Sequence, residues 1–127
     1  MALPVNAKVE ATPNFLANLE AAHAFFTLQE ASSADARQTK LKEALRDMIQ
    51  ILSWSPAGGR PARFLTAKSA QARLKTNAVL SLARQAALPE LREFIVDQHI
   101  VLYAHSAVEV VLLALKHQRE LIYASNR

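Results

Sequence analysis

Hydrophobic and polar positions change their period from one segment of this chain to the next, and each change predicts an element. Val5, Ala7, Val9 and Ala11 alternate with polar residues, which predicts a short half-buried strand. Thr12 and Pro13 then read as an N-cap followed by proline at the first helical position. Phe15, Leu19, Ala22 and Phe26 recur at helical spacing, with Leu16 and His23 beside them, so a first helix is expected over about 13–29. His23 falls on its inner side and reads as a core histidine. Ser32, Ser33 and Asp35 supply a break and a new cap. A second helix over about 35–54 carries the apolar stripe Leu41, Leu45, Met48, Ile49 and Leu52, with Lys42, Glu43, Arg46, Asp47 and Gln50 towards water. Pro56, Gly58, Gly59 and Pro61 end it, and Trp54 is expected to cap the core there. The two helices make an antiparallel hairpin.

Residues 69–87 are alanine-rich and free of Gly and Pro, with Leu74, Ala78 and Leu82 at i, i+4 spacing and Pro89 as the stop. They predict a helix on the domain surface with its basic residues outward. From Leu91 the chain turns β-branched and apolar: LREFIVD, HIVLYAH and VEVVLLALKH, separated by Asp97-Gln98 and Ser106-Ala107, predict a three-stranded antiparallel meander. A two-residue loop at Asp97-Gln98 sets Val96 opposite His99 and Arg92 opposite Tyr103. Arg92, Phe94, Val96, His99, Val101, Tyr103 and His105 then share one face. The fold class is α+β, a strand and helical hairpin packed on a small antiparallel sheet with an extra helix. Its expected core comprises Phe15, Leu19, Phe26, Leu45, Ile49, Leu52, Phe94, Leu102, Val111 and Leu113. Residues 91–117 are the segment on which this architecture stands or falls.

Composition narrows the function classes. The 127 residues suit one domain, 1–127. Without cysteine the chain has no disulfide, thiolate metal site or cysteine nucleophile, as suits a reducing cytoplasm, where it is expected to reside. Its first residues lack the features of a signal peptide. The most apolar stretch, Ile100 to Leu115, is interrupted by His105, Ser106 and Glu109, so no membrane association is expected. The formal net charge of +4 is unevenly spread. Arg60, Arg63, Lys68, Arg73, Lys75, Arg84 and Arg92 stand against Glu90 alone in residues 60–92, a local +6, while the segments on either side are each −1. Such a block either keeps the protein soluble or faces an anionic partner.

Three stretches, in this order, carry a resemblance. VEATPNFLANLEAAHAFF is similar to the strand-then-helix start of toxins of the RelE/ParE superfamily. LSWSPAGGRPAR looks like their helix end and GRP loop. PELREFIVDQHIVLYAHSAVEVVLLALKHQREL resembles their LRE, VLY and closing strands with the basic tail. About 64–88, the basic helical segment, looks like an insertion relative to the shortest members. The resemblance implies the toxin of a type II toxin–antitoxin pair, a cognate antitoxin as partner in a hetero-oligomer, no cofactor, and one of two targets. ParE-like members inhibit DNA gyrase by binding it. RelE-like members cleave messenger RNA on the ribosome. A plain nucleic-acid-binding domain that uses the basic segment is a further reading.

Metal-free RNA cleavage needs a base for the ribose 2′-OH, a cation for the transition-state charge and an acid for the leaving oxygen. The residues that could serve are Arg92, Tyr103, His117, Arg119 and Tyr123, with His99 and His105 nearby. The same histidines equally read as sheet-edge residues with no task, and Tyr103 as a packing anchor. The histidine spacing gives no metal site. Where several nuclease members carry an arginine in the sheet, this chain has Ile100, and its KHQR tail occurs in both branches. Sequence therefore favours a binding inhibitor, with Arg60, Arg63, Arg73, Lys75, Arg84 and Lys116 as target contacts. Arg73 and Arg84 fall on one face of the predicted helix. Inhibition is expected to weaken as salt rises, and reversing both charges is expected to weaken it while leaving the circular dichroism spectrum intact. Undiminished inhibition would place the contacts elsewhere.

Overall fold

The computed structural model describes residues 6–62 and 80–119. Its elements run β1 (Lys8–Ala11), α1 (Pro13–Gln29), α2 (Ala31–Trp54), β2 (Arg60–Pro61), β3 (Glu90–Val96), β4 (His99–His105) and β5 (Glu109–His117). The meander forms as its pattern predicts. Asp97 takes φ 56° in the turn, Val96 stands opposite His99, and Arg92 stands opposite Tyr103. The sheet is wider than the meander, however. β1 joins β5 in parallel and β2 joins β3 antiparallel, giving five strands in the order β1-β5-β4-β3-β2. Alternation reveals that a segment is a strand but not which strand it will pair with, so these two additions required the tertiary structure.

Several boundaries move, each for a physical reason. β1 starts at Lys8, because the Ala7 N–H donates to Ser53 O at 2.8 Å and leaves the ladder; Val5 lies outside the described residues. α2 starts at Ala31, not 35. The extended Glu30 (φ −161°) ends α1, with its N–H on Phe26 O, and starts α2. Ser32 and Ser33 thus lie in the first turn of α2, their hydroxyls directed at the Glu30 carboxylate and carbonyl. The expected break shrinks to one residue.

Both faces of the sheet are covered. On one face Phe15, Phe26, Leu41, Leu45, Met48 and Leu52 of the hairpin pack against Val101, Tyr103, Val110, Leu112 and Leu115. On the other, Ile100, Leu102, Ala104, Leu113 and Ala114 meet Leu80, Leu82, Ala83, Ala86 and Leu88. Residues 80–86 are helical and stop at Ala87, whose φ of 57° cannot continue a helix. This segment therefore covers the sheet instead of merely lying on the surface; the earlier part of the predicted 69–87 helix lies outside the described residues. Double coverage explains why all of HIVLYAH is buried and shows no polar alternation. Of the expected core, Phe15, Phe26, Leu45, Leu52, Leu102 and Leu113 are buried. Leu19, Ile49, Phe94 and Val111 are partly buried against it. Trp54 is not a core cap, being 58% exposed. His23 is not a core histidine either; it sits half-buried with Nε2 2.9 Å from the exposed Asp35 carboxylate. No described helix is long and apolar enough to cross a membrane.

Polar side chains of α1 fix it to β5. Thr12 Oγ1 accepts from Phe15 N–H at 3.2 Å, as an N-cap should, and donates to Leu112 O at 2.9 Å. Asn14 Nδ2 donates to Leu113 O at 3.0 Å, and Asn18 Oδ1 accepts from Leu115 N–H at 2.9 Å. Leu113 is the extra residue of a register shift, since Leu102 pairs with Ala114 but Tyr103 with Leu112. Asn18→Leu would strand the buried Leu115 N–H. It is expected to cost about 1–3 kcal/mol in urea unfolding, whereas Leu16→Ala, at a half-exposed position, should stay within about 0.5 kcal/mol. Equal stability of the two variants would contradict the clamp.

Candidate functional site

The residues nominated for chemistry separate into two polar clusters on the face covered by the helical hairpin. The first gathers around Tyr103 and Gly59. Tyr103 is fully buried, and its hydroxyl donates to Pro56 O and accepts from Gly59 N–H, both at 2.8 Å. A side chain at position 59 would collide with Glu93 O and come within 2.8 Å of that hydroxyl, so only glycine admits this approach. Arg92 donates from Nη1 to Gly59 O and from Nε to His105 Nε2, each at 3.1 Å. Arginine can only donate, so His105 Nε2 accepts, and its ring proton sits on Nδ1, 3.0 Å from Ser106 O. Burial pushes the Tyr103 hydroxyl pKa up, against the opposing pull of the Gly59 N–H and the Arg92 charge.

The second cluster lies at the other end of β4. His99 stands opposite His117, with ring centroids 5.3 Å apart. His99 also meets the edge of Phe26 at 6.0 Å, and the Arg37 guanidinium lies 4.1 Å above that same phenyl ring. Arg119 N–H donates to His117 Nδ1 at 3.1 Å. Around them opens a cleft of about 560 Å³ between α1, the start of α2, and the turn and strand ends of 98–119.

The structure therefore brings Arg92 to Tyr103, and His117 to Arg119, but does not unite the two pairs. Four residue steps along β4 separate Tyr103 from His99, roughly 13 Å along the strand. Tyr123 lies outside the described residues, as do Arg63, Arg73 and Lys75. His99 and His105 are not sheet-edge residues: β4 is the central strand and both are buried. Among the nominated contacts, Arg84 is exposed. Arg60 turns its Nε to the buried Glu93 carboxylate, 3.5 Å away, and Lys116, expected at a surface, is only 8% exposed. Sequence reasoning missed Asn18, Phe25 and Arg37. Asn14 and Asn18 did carry a signal, two amides one turn apart on an otherwise apolar helix face. Phe25 and Arg37 carried none, because the cleft exists only once the hairpin meets the sheet. Among the described residues no group of three metal-ligating side chains converges.

Comparison with known proteins bears on the fold. No protein-family model matches the sequence, and no curated protein matches it. Among solved structures, a chain of the "Chromosomal ParDE TA system from P. aeruginosa" is similar. The TM-score is 0.56 at 11% identity, over 88% of this chain and 96% of that one. At that identity the likeness is one of fold, and the α+β architecture expected from the sequence is the one found.

The Tyr103 hydroxyl makes a pH-dependent contribution whose sign follows from its raised pKa. Below about pH 10 both folded and unfolded chains hold the proton, and the contribution is fully present. Above it the unfolded chain ionises first, so stability falls until the native hydroxyl ionises too. The stability gap between the native protein and Tyr103→Phe is thus expected to be constant below about pH 10 and to narrow above it. Urea unfolding across that range measures it, and a gap that stays constant at higher pH would show the hydroxyl to be unshielded.

Proposed function

We propose that this chain is the growth-arresting toxin of a type II toxin–antitoxin pair, and that it acts in the ParE manner, by binding and inhibiting DNA gyrase. The fold likeness to the ParDE system supports the toxin class. The observation that carries the mode of action is the separation of the nuclease candidates. Tyr103 spends its hydroxyl on Pro56 and Gly59, Arg92 is held by Gly59 and His105, and His117 with Arg119 stands at the far end of β4. The sheet position that is arginine in several nuclease members is Ile100, packed beneath residues 80–88. A base, a cation and an acid around one phosphate are what cleavage requires, and among the described residues this arrangement does not converge them.

An antitoxin suits the surface of the hairpin. Leu16 and Phe25 are 50% exposed, Leu28 is 87% exposed, and Ile51 and Trp54 are about half exposed at the end of α2. A partner segment that orders on binding would remove this apolar area from water. The RelE-like reading keeps one supporting observation, the adjacency of His117 and Arg119 beside an open cleft.

Gyrase supercoiling and ribosomal messenger cleavage, measured with one preparation, separate these readings. Inhibited supercoiling with intact message is expected, and added salt should weaken the inhibition. His117→Ala and Arg119→Ala should leave message intact as the native chain does. Cleaved message with untouched gyrase, reduced by about 10²-fold or more in those variants, would replace this proposal with the ribonuclease.

A further inference from the structure

β1 is paired along one side only. The Lys8 N–H donates to Val108 O and the Thr12 N–H to Leu112 O, each at 3.0 Å, so the even-numbered residues turn their backbone groups to β5. Strand geometry then turns the N–H and C=O of Val9 and Ala11 the other way. Ala7, of the same parity, shows where that side leads: its N–H donates to Ser53 O at the end of α2, 2.8 Å away. Among the described residues no strand lies beyond β1, which ends the sheet.

An open edge is a template for another strand, and a lysine on it ordinarily discourages pairing. Here Lys8 has Glu10 two residues on, both exposed, while Val9 between them packs against the core on the hairpin face. Consider two β1 strands antiparallel, with Val9 opposite Val9. The two valines then exchange both of their outward hydrogen bonds. The same register sets Lys8 of each copy opposite Glu10 of the other. Lys8 and Glu10 already meet within one chain at 2.7 Å, so each charge gains a second, cross-strand partner. Lys-Val-Glu therefore answers itself on reversal, which a two-fold axis requires and a foreign strand does not.

Apolar surface flanks this edge. Ile51 and Trp54, about half exposed, belong to the helical turn whose Ser53 carbonyl holds Ala7. Such a two-fold brings that end of one copy beside the Ala11 end of the other, where Leu16 is half exposed. Phe25 and Leu28, at the opposite end of the hairpin, stay outside the contact. We infer that the chain self-associates through β1, as a two-fold dimer in which the two sheets become continuous around Val9. The inference holds whatever the toxin's target is.

Sedimentation velocity of the full chain, from about 1 to about 300 μM, tests it. A short edge strand and one apolar helical turn per copy make a small interface, so a dimer dissociating in the micromolar range is expected. Glu10→Lys sets lysine against lysine in both cross-strand pairs, and Lys8→Glu sets glutamate against glutamate. Each variant alone should weaken the dimer about tenfold or more. Both positions are exposed, so circular dichroism should match the native chain. Mixed one to one, the variants oppose an all-lysine strand to an all-glutamate strand, and association should return to about native strength. A monomer throughout the range would overturn the inference and leave the edge to a strand of another protein. A dimer indifferent to both swaps would overturn it by placing the contact elsewhere. Variants that stay apart when mixed would overturn it as well.

Discussion

The seam between α1 and β5 is where this fold is fixed. β1 pairs with β5 only as far as Leu112, after which the chain leaves the sheet at Thr12 to enter the helix. Past that point the outward backbone groups of β5 would lie bare beneath α1, at a severe cost in a dry interior. Thr12, Asn14 and Asn18 take the Leu112 and Leu113 carbonyls and the Leu115 N–H. These bonds set the height at which α1 crosses the sheet. They seat Phe15 and Phe26 in the core and leave the Asn18–Phe25 side of the helix as the wall of the cleft. A bulge at Leu113 belongs to the same arrangement, since it presents its carbonyl to Asn14.

Tyr103 does for the α2–β2 connection what the asparagines do for β5. Its ring fills the core, and its hydroxyl ties Pro56 and Gly59 to the central strand. Arg92 closes the same loop from the neighbouring strand through Gly59 O. Polar groups that look like chemistry in a list of residue types are thereby consumed in holding a turn. The groups at the other end of β4 are arranged differently. Arg37, Phe26, His99 and His117 form a row of face and edge contacts along a cleft that opens outward.

The covering of both sheet faces also reshapes the meaning of the basic segment. Residues 80–88 direct leucine and alanine onto Leu102, Ala104 and Leu113, while Arg84 points to water. Their apolar side is structural and their charge is on the outside, available to an anionic surface. Arg60, from the same run of sequence, is instead turned to Glu93, whose buried carboxylate is close enough to offset its charge.

Much of this was determined by the sequence alone, where the information is local. The Thr12-Pro13 cap, the stripe of α2 and the Asp97-Gln98 turn each encode a backbone geometry within a few residues. From that turn the register of Arg92 with Tyr103 and of Val96 with His99 follows by counting. Only the tertiary structure decided what depends on distant partners. The parallel pairing of β1, the pairing of β2, the second covered face and the burial of His99 and His105 all turn on β4 being central, which no local period encodes. Arg92, Tyr103, His117 and Arg119 were legible as residues but not as two clusters, because strand order and the direction of the meander set their separation. The cleft was legible in neither respect. Arg37 and Phe25 come to line one space with His117 and Arg119 only when α1, α2 and β5 meet.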